Sequence, residues 1–198
     1  MKKNIEQVSL DAQPPGTNDC FDLLREAAPG APFALFGGAV RDTHYAAHWG
    51  TPSRLNDYDL RIWLPEDEHE ARTRMFVRRL GEISGSEIEH KPSAGTGRIR
   101  YYFTMGDMEL DVSVRTPATT SLAVARVAIE RAGDADAGLS SVAIAPDGVA
   151  WATPEFTSDV ENHTITMYPR PDSGNRLPEY AERMQEKFPE HEVIWIRS

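Results

Sequence analysis

Residues 33 to 42 have the sequence Phe33-Ala34-Leu35-Phe36-Gly37-Gly38-Ala39-Val40-Arg41-Asp42, and this stretch decides the fold. The four apolar residues at its start are enough for a short buried strand, and the part after the glycines is helix-like to about His48. A strand that meets two glycines and then a helix exposes backbone N–H groups where the helix dipole favours an anion. The stretch therefore predicts a phosphate cradle with a positive charge from Arg41, although a glycine pair alone is more typical of a plain turn.

A second motif, Asp57-Tyr58-Asp59, opens a strand predicted over residues 57–64. Because side chains alternate along a strand, Asp57 and Asp59 project from the same face, about 7 Å apart. Two close carboxylates raise each other's pKa unless a cation lies between them. The pair is therefore either a cation site or two aspartates at a solvated strand edge.

Two further strands are predicted over residues 98–104 and 109–115, joined by a hairpin turn at Gly106-Asp107. Glu109 and Asp111 share one face of the second strand, and the other face is apolar. An acid from this strand would complete an oxygen cage for Mg²⁺, which takes carboxylates together with substrate phosphates. Two metal ions about 4 Å apart would bind the attacking and leaving oxygens of a phosphoryl transfer.

Five motifs together resemble, in the same order, the polymerase-β-type nucleotidyltransferases, and most of all the head domain of the CCA-adding enzymes and bacterial poly(A) polymerases. The resemblance covers roughly residues 33 to 167. The five motifs lie at residues 37–42, 57–59, 110–115, 136–144 and 154–165.

This resemblance implies an α/β (α+β) fold, a mixed β-sheet with helices on one side. It implies that Asp57, Asp59 and Asp111 are catalytic and hold two Mg²⁺ ions, with Mn²⁺ as a substitute. It implies transfer of a nucleoside monophosphate from an NTP such as ATP to an acceptor hydroxyl, with release of pyrophosphate. In such chemistry the protein mainly positions groups and neutralises charge.

The resemblance also implies a set of nucleotide-binding residues, with Asp42 alternatively an anchor for Arg41 or the helix start. The set is Gly37, Gly38, Arg41, Asp42, Asp136 and Ser140. The family's paired arginines before Asp136 are replaced by Asp134 and Ala135, and its asparagine by Ser140; Arg131 is the nearest upstream arginine. The base preference is therefore open. A non-catalytic nucleotide-binding or protein-interaction module on the same fold is the alternative to an enzyme.

Other candidate residues carry weaker patterns. Glu109 is the alternative to Asp111 as third metal ligand, and Asp111 is favoured. His44 and His48 have a helical spacing that can bind zinc, but without a third ligand we expect surface histidines. The other four histidines are also expected at the surface.

Two groups of cations are candidate contacts for phosphate or RNA. One arginine group is either a solvated face or an RNA-backbone contact: Arg72, Arg74, Arg78 and Arg79. Another group of cations flanks a loop and could contact phosphates: Lys91, Arg98 and Arg100.

Composition limits the possible functions. The 198 residues are 40% hydrophobic and carry a formal net charge of -10. This acidity argues against nucleic-acid binding by bulk electrostatics, which needs clustered cations. A single cysteine, Cys20, excludes a disulfide framework and a cysteine-based zinc site. The sequence predicts neither a signal peptide nor a membrane span, so we expect a cytoplasmic protein without membrane contact.

The expected organisation has a loose segment over residues 1–18, the head domain over 19–168, and a helix and strand over 169–198 packed on the same domain. The strand expected within residues 191–196 would extend the main sheet. Neck, body and tail domains are not expected. The acceptor is therefore predicted to be small, held locally or delivered by a protein partner; an RNA 3′ end with limited contact, a small molecule and a protein side chain all stay open.

Overall fold

The computed structural model describes residues 3–51, 55, 57–65, 69–92, 99–115, 125–169 and 176–196. Its helices are α1 (Thr17–Ala27), α2 (Gly38–Trp49), α3 (His69–Ser84), α4 (Arg126–Gly133), α5 (Pro154–Asn162) and α6 (Arg176–Lys187). Its strands are β1 (Glu6–Val8), β2 (Phe33–Phe36), β3 (Tyr58–Trp63), β4 (Glu89–Pro92), β5 (Ile99–Met105), β6 (Met108–Arg115), β7 (Val142–Ile144), β8 (Ala150–Ala152), β9 (Thr164–Met167) and β10 (Glu192–Trp195). A 3-10 turn, Gly138–Ser140, precedes β7.

The main sheet is mixed, as the sequence predicts. Its strands follow the order β1-β8-β7-β2-β3-β6-β5-β4. Strands β3 and β6 pair in parallel, and the other neighbours in this order pair antiparallel. The strand–glycine–helix stretch that begins at Phe33 forms β2, the turn at Gly37 and α2. The predicted α/β fold, a mixed sheet flanked by helices, is confirmed.

Both faces of the sheet are covered, whereas the resemblance implied helices on one side. The main core joins one face of the sheet to α1 and α3, with Leu35 and Leu60 among its buried residues. The other face lies under α4, where Val127 and Ala128 pack against Ala34. Arg61 and Ser113, which alternate away from the main core, are consequently buried on the face that α4 covers.

The two ends of the chain differ from their predictions. Strand β1 lies inside the segment expected to be loose, and it pairs antiparallel with β8. Strand β10 does not extend the main sheet; it pairs in parallel with β9 in a separate two-stranded sheet. Hydrogen bonding to another strand satisfies the backbone groups of both short segments.

Several local predictions need adjustment. The sequence patterns predict neither strand β4 nor helix α5. The loop over residues 93–97, which Lys91, Arg98 and Arg100 flank, lies outside the described residues, as does Arg98 itself. None of the described helices is long and apolar enough to cross a bilayer.

Two histidines expected at the surface are buried. His44 lies on α2, and His191 is only 3% exposed between Tyr45, His163 and Phe188. Neither ring nitrogen of His191 has a hydrogen-bond partner among the described residues. Burial, with a smaller contribution from the charge of His163, lowers the pKa of His191 to about 4.

The burial of His191 predicts a pH-dependent stability. An unfolded histidine titrates near pH 6.5, so between about pH 6.5 and 4 the unfolded chain takes up a proton that the native chain excludes. We expect the free energy of unfolding to decrease as the pH is lowered through this window, and His191 should contribute about 1 to 3 kcal/mol to the decrease. Urea denaturation at several pH values across the window measures this dependence. The free energy of unfolding should change less steeply with pH in His191→Phe than in the exposed control His90→Phe. Equal pH dependence in the two variants would contradict the prediction. Burial also lowers the pKa of His44, and this histidine contributes to the pH dependence of the wild type and of both variants.

Candidate active site

The candidate site centres on the carboxylate of Asp59. Asp59 lies opposite Phe36, the last residue of β2, on one side and opposite Asp111 of β6 on the other. The chain turns into α2 directly beside it, because Gly37 follows Phe36. The backbone of Gly37 has φ 78° and ψ −147°, a region that only glycine adopts readily. A Cβ at this position would lie 2.3 Å from Oδ2 of Asp59, so the glycine also lets the carboxylate approach the turn.

The start of α2 is open to an anion. No side chain caps this end of the helix among the described residues, and its first turn contains no acidic residue. The N–H groups of a first turn have no partner within the helix. Together with the positive end of the helix dipole, these N–H groups favour an anion at this position, which is the arrangement that the sequence predicts for a phosphate cradle.

Asp111 is held by an arginine. Its side chain is 3% exposed, and it sits on the parallel partner strand of β3. Nε of Arg100 donates to Oδ1 of Asp111 at 3.1 Å, and Nη2 donates to Oδ2. The same Nη2 lies 3.8 Å from Oδ1 of Asp59. The guanidinium of Arg100 therefore connects two of the three predicted metal ligands.

The electrostatics of Asp59 differ from those of an ordinary surface aspartate. Burial first, and then the charge of Asp57, raise the pKa of Asp59 to about 6, against the opposing charges of three arginines. These arginines are Arg100, Arg131 and Arg41. Arg131 of α4 lies over the ring of Phe36, 4.0 Å from its centre. The site thus combines a carboxyl group of raised pKa with cations from three different elements.

Arg41 is buried beneath the C-terminal helix. Its Nε donates to Oδ1 of Asp42 at 2.7 Å, and its Nη1 donates to Oγ of Ser140 at 3.0 Å. From α6, Lys187 donates to the other carboxylate oxygen of Asp42. Tyr180 of α6 shares a hydrogen bond of 2.8 Å with Ser140. Arg41 thereby ties α2 to the 3-10 turn and α6, and Asp42 anchors it, the alternative that the sequence analysis left open.

A buried aspartate orients the 3-10 turn that carries Ser140. Asp159 of α5 accepts hydrogen bonds from the hydroxyl of Thr164 and from both the backbone and the hydroxyl of Thr166. A Cβ at Gly138 would lie 2.5 Å from Oδ2 of Asp159. Burial raises the pKa of Asp159, and these hydrogen bonds oppose the rise. The carboxylate is a structural support beneath the predicted nucleotide-binding residue.

The remaining predicted site residues are spread around this centre. Asp57 is exposed immediately before β3 and influences the pKa of Asp59. Asp136 is half-buried, and its carbonyl accepts a hydrogen bond from the backbone N–H of Tyr168. Glu109 is exposed and lies opposite Thr104 on β5. Asp111, rather than Glu109, is the register partner of Asp59.

Sequence reasoning missed part of the site. The sequence shows Arg131 only as an arginine upstream of Asp136, since nothing in it indicates that α4 crosses the sheet above Phe36. Tyr180 and Lys187 belong to the C-terminal helix and strand over residues 169–198, for which the sequence predicts no role in the site. A helical spacing of seven residues puts Tyr180 and Lys187 on one face of α6, and this pattern could have suggested a shared contact. In α3, Arg74 and Arg78 pair with Glu70 and Glu82 of the same helix, as a solvated face would.

The predicted metal ligands fit a divalent cation only in part. Carboxylate oxygens suit Mg²⁺, and the raised pKa of Asp59 beside Asp57 marks a position where a cation would be stabilising. However, both oxygens of Asp111 are engaged by Arg100. Within the described part of the chain, no three acidic, histidine or cysteine side chains are grouped to hold a metal ion. By their chemistry Asp57 and Asp59 suit the ion, whereas Asp111 is already paired with Arg100.

Comparison with known proteins supports the fold. No family model and no curated protein sequence matches the chain. Among solved structures, a CCA-adding enzyme with CTP matches at a TM-score of 0.50 and 16% identity, over 77% of this chain and 34% of that one. The Bacillus stearothermophilus CCA-adding enzyme in complex with CTP matches at a TM-score of 0.50 and 15% identity, over 87% and 38%. The chain thus spans little more than a third of these enzymes and shares the fold of the part that it matches, which confirms the fold that the resemblance implied.

Proposed function

We propose that the protein is a Mg²⁺-dependent nucleotidyltransferase, which transfers a nucleoside monophosphate from an NTP to an acceptor hydroxyl and releases pyrophosphate. The observation that carries this proposal is the position of Asp59, beside the Gly37 turn and opposite Asp111 on a parallel strand. The predicted phosphate cradle and the carboxylates of Asp59 and Asp111 meet there, in a fold shared with CCA-adding enzymes. That combination suits phosphoryl transfer, in which positioning and charge neutralisation dominate.

The protein groups divide into phosphate-binding and supporting residues. The N–H groups at the start of α2 would bind the triphosphate, with Gly37 and Gly38 allowing its close approach. Arg131, which already acts on Asp59 electrostatically, supplies a further positive charge in place of the missing paired arginines. Arg41 does not contact phosphate itself. It supports the site by holding α2 and Ser140 in position through its hydrogen bond to the Ser140 hydroxyl.

Asp57 and Asp59 would hold Mg²⁺, with Asp111 as the third ligand once Arg100 releases it. When bound, the ion would neutralise phosphate charge and polarise the transferred phosphoryl group. Asp59 must be ionised for this role, and the surrounding arginines favour its charged form. We expect Ser140 and Asp136 to contact the nucleotide, as the resemblance implies. The acceptor stays open among an RNA 3′ end, a small molecule and a protein, in a cytoplasmic setting.

The proposal predicts label transfer that depends on the carboxylates of Asp57 and Asp59. Each of four α-labelled NTPs is incubated with the protein, Mg²⁺ and either total RNA or candidate proteins. We expect transfer to fall at least about 100-fold in Asp57→Ala and in Asp59→Ala, because several kcal/mol of charge stabilisation are lost. Asp107→Ala, at the exposed β5–β6 turn, is the matched control and should transfer normally. Absence of transfer and of NTP binding with every acceptor would refute the proposal.

A second candidate is a nucleotide-binding module without catalysis. It is favoured by one observation, the pairing of Asp111 with Arg100, because an arginine already neutralises the expected third ligand. A thermal shift separates the candidates when combined with the transfer assay, since a ligand that binds only the folded state raises its melting temperature. Stabilisation by NTP without transfer would favour the module.

A further inference from the structure

The guanidinium of Arg100 occupies the position between two candidate metal ligands. It bridges both oxygens of Asp111 and approaches Asp59 to 3.8 Å. Backbones of neighbouring strands lie about 4.8 Å apart, so Asp59 and Asp111 project a shared pair of carboxylates toward one point. A single positive group at that point offsets the repulsion between them.

Asp111 needs such a partner whenever no metal ion is bound. Its side chain is only 3% exposed, and an unpaired buried carboxylate is strongly destabilising. The two parallel N–H donors of an arginine match the geometry of a carboxylate. Arg100 therefore supplies in the metal-free protein the positive charge that a divalent cation would supply in the loaded one.

Arg100 is also placed so that it can leave. Its side chain is 40% exposed, which allows another rotamer to enter solvent without burying a charge. The ring of Tyr102 lies beside it, with the guanidinium carbon 5.2 Å from the ring centre. Lys91 lies over the same ring at 4.6 Å and pairs with Glu89. Lys91 thus resembles Arg100 in charge and neighbourhood but does not bridge the site carboxylates.

We propose that Arg100 is an internal counter-ion that competes with a divalent cation for Asp111, so that Asp111 becomes a metal ligand only when Arg100 swings away. The inference rests on the proposed metal-dependent function and deepens it. In the resting protein, Asp57 and Asp59 form a weak two-carboxylate site. Displacement of Arg100, for which incoming triphosphate oxygens are a suitable alternative partner, completes the three-carboxylate site.

The test is Mn²⁺ binding to the nucleotide-free protein, measured by isothermal titration calorimetry and by electron paramagnetic resonance of the free ion. We expect Arg100→Gln to bind Mn²⁺ about 5- to 20-fold more tightly than the wild type. Asp111→Asn alone should change the affinity less than about 2-fold, because Asp111 is not a ligand while Arg100 covers it. In the double variant the gain should disappear, and this non-additivity is the signature of direct competition.

Two further variants keep the test decisive. Lys91→Gln removes a neighbouring positive charge and should leave the Mn²⁺ affinity within about 2-fold. If Arg100→Gln does not fold, Arg100→Lys retains the charge without bridging both oxygens and should still tighten binding at least about 2-fold. Unchanged affinity in the folded Arg100 variant, or an equal gain in Lys91→Gln or in the double variant, would overturn the inference while label transfer upheld the proposed function. Absence of Mn²⁺ binding in every variant would overturn the metal-dependent function and the inference with it.

Discussion

Replacing Asp59 by asparagine is expected to make the protein more stable while abolishing nucleotidyl transfer. The pKa of Asp59 is raised to about 6, with burial as the largest cause and Asp57 as the second. A carboxyl group that titrates near 3.8 when unfolded therefore favours the native state most in its protonated form. As the pH rises from about 4 to 6, the native protein must ionise a group that the unfolded chain has already ionised, and stability is lost.

The size of this effect follows from the shift. At pH 7, ionised Asp59 costs the native state up to about 3 kcal/mol, and asparagine removes most of that cost without changing the side-chain volume. We expect Asp59→Asn to raise the free energy of unfolding by about 1 to 3 kcal/mol and the melting temperature by several degrees. Transfer should fall at least about 100-fold, since the carboxylate that would hold Mg²⁺ is gone.

Urea denaturation at pH 7 with a chelator present measures the stability of the wild type, Asp59→Asn and the exposed control Asp107→Asn. The gain in Asp59→Asn should shrink as the pH is lowered toward 4, where the wild-type carboxyl is itself protonated. A variant less stable than the wild type at pH 7 would show that Asp59 stabilises the fold through its arginine neighbours, and would contradict the prediction.

Gly37→Ala is expected to have the largest destabilising effect of any single methyl added at the site. The backbone conformation of Gly37 costs other residues about 1 to 3 kcal/mol, and the new Cβ would lie 2.3 Å from Oδ2 of Asp59. We expect a loss of at least about 3 kcal/mol in unfolding free energy. Transfer should fall at least tenfold, because both the phosphate cradle and the Asp59 carboxylate are displaced.

Gly30 provides a matched control for this substitution. Its φ is also 78°, but a Cβ there would meet nothing within 4 Å. Gly30→Ala should therefore cost only the conformational part, about 1 to 2 kcal/mol. Much of the excess cost of Gly37→Ala should disappear in an Asp59→Ala background, where the contacting oxygens are absent. Chemical denaturation of the wild type, Gly37→Ala, Asp59→Ala and the double variant gives the coupling energy. Equal costs for Gly30→Ala and Gly37→Ala would show that the turn does not press against Asp59.

Local patterns made the central fold predictable. The apolar run 33–36, the glycine pair and the following helix depend on neighbouring residues only, so β2, the turn and α2 form where the sequence predicts them. The β5–β6 hairpin follows from the turn at Gly106 for the same reason. The resemblance added the pairing of motifs far apart in the chain, and with it the expectation that Asp111 accompanies Asp59.

Contacts between distant elements were beyond these patterns. Strand β10 has an ordinary strand sequence, and nothing local distinguishes pairing with β9 from pairing with the main sheet. His191 resembles a surface histidine until Tyr45 and Phe188 enclose it. Arg131 reaches the site only because α4 covers the second face of the sheet.

The sequence by itself determined a strand–glycine–helix turn, an aspartate pair at the start of β3 and an acidic face on β6, because these depend on chain-local spacing and alternation. Only the tertiary structure decided what those acids contact. The parallel register of β3 and β6 sets Asp111 opposite Asp59, and the neighbouring strand β5 brings Arg100 onto both. The physical reason is that side-chain charge is balanced through space, so the partners of a buried carboxylate depend on which strands and helices pack together and not on the residues beside it in the chain.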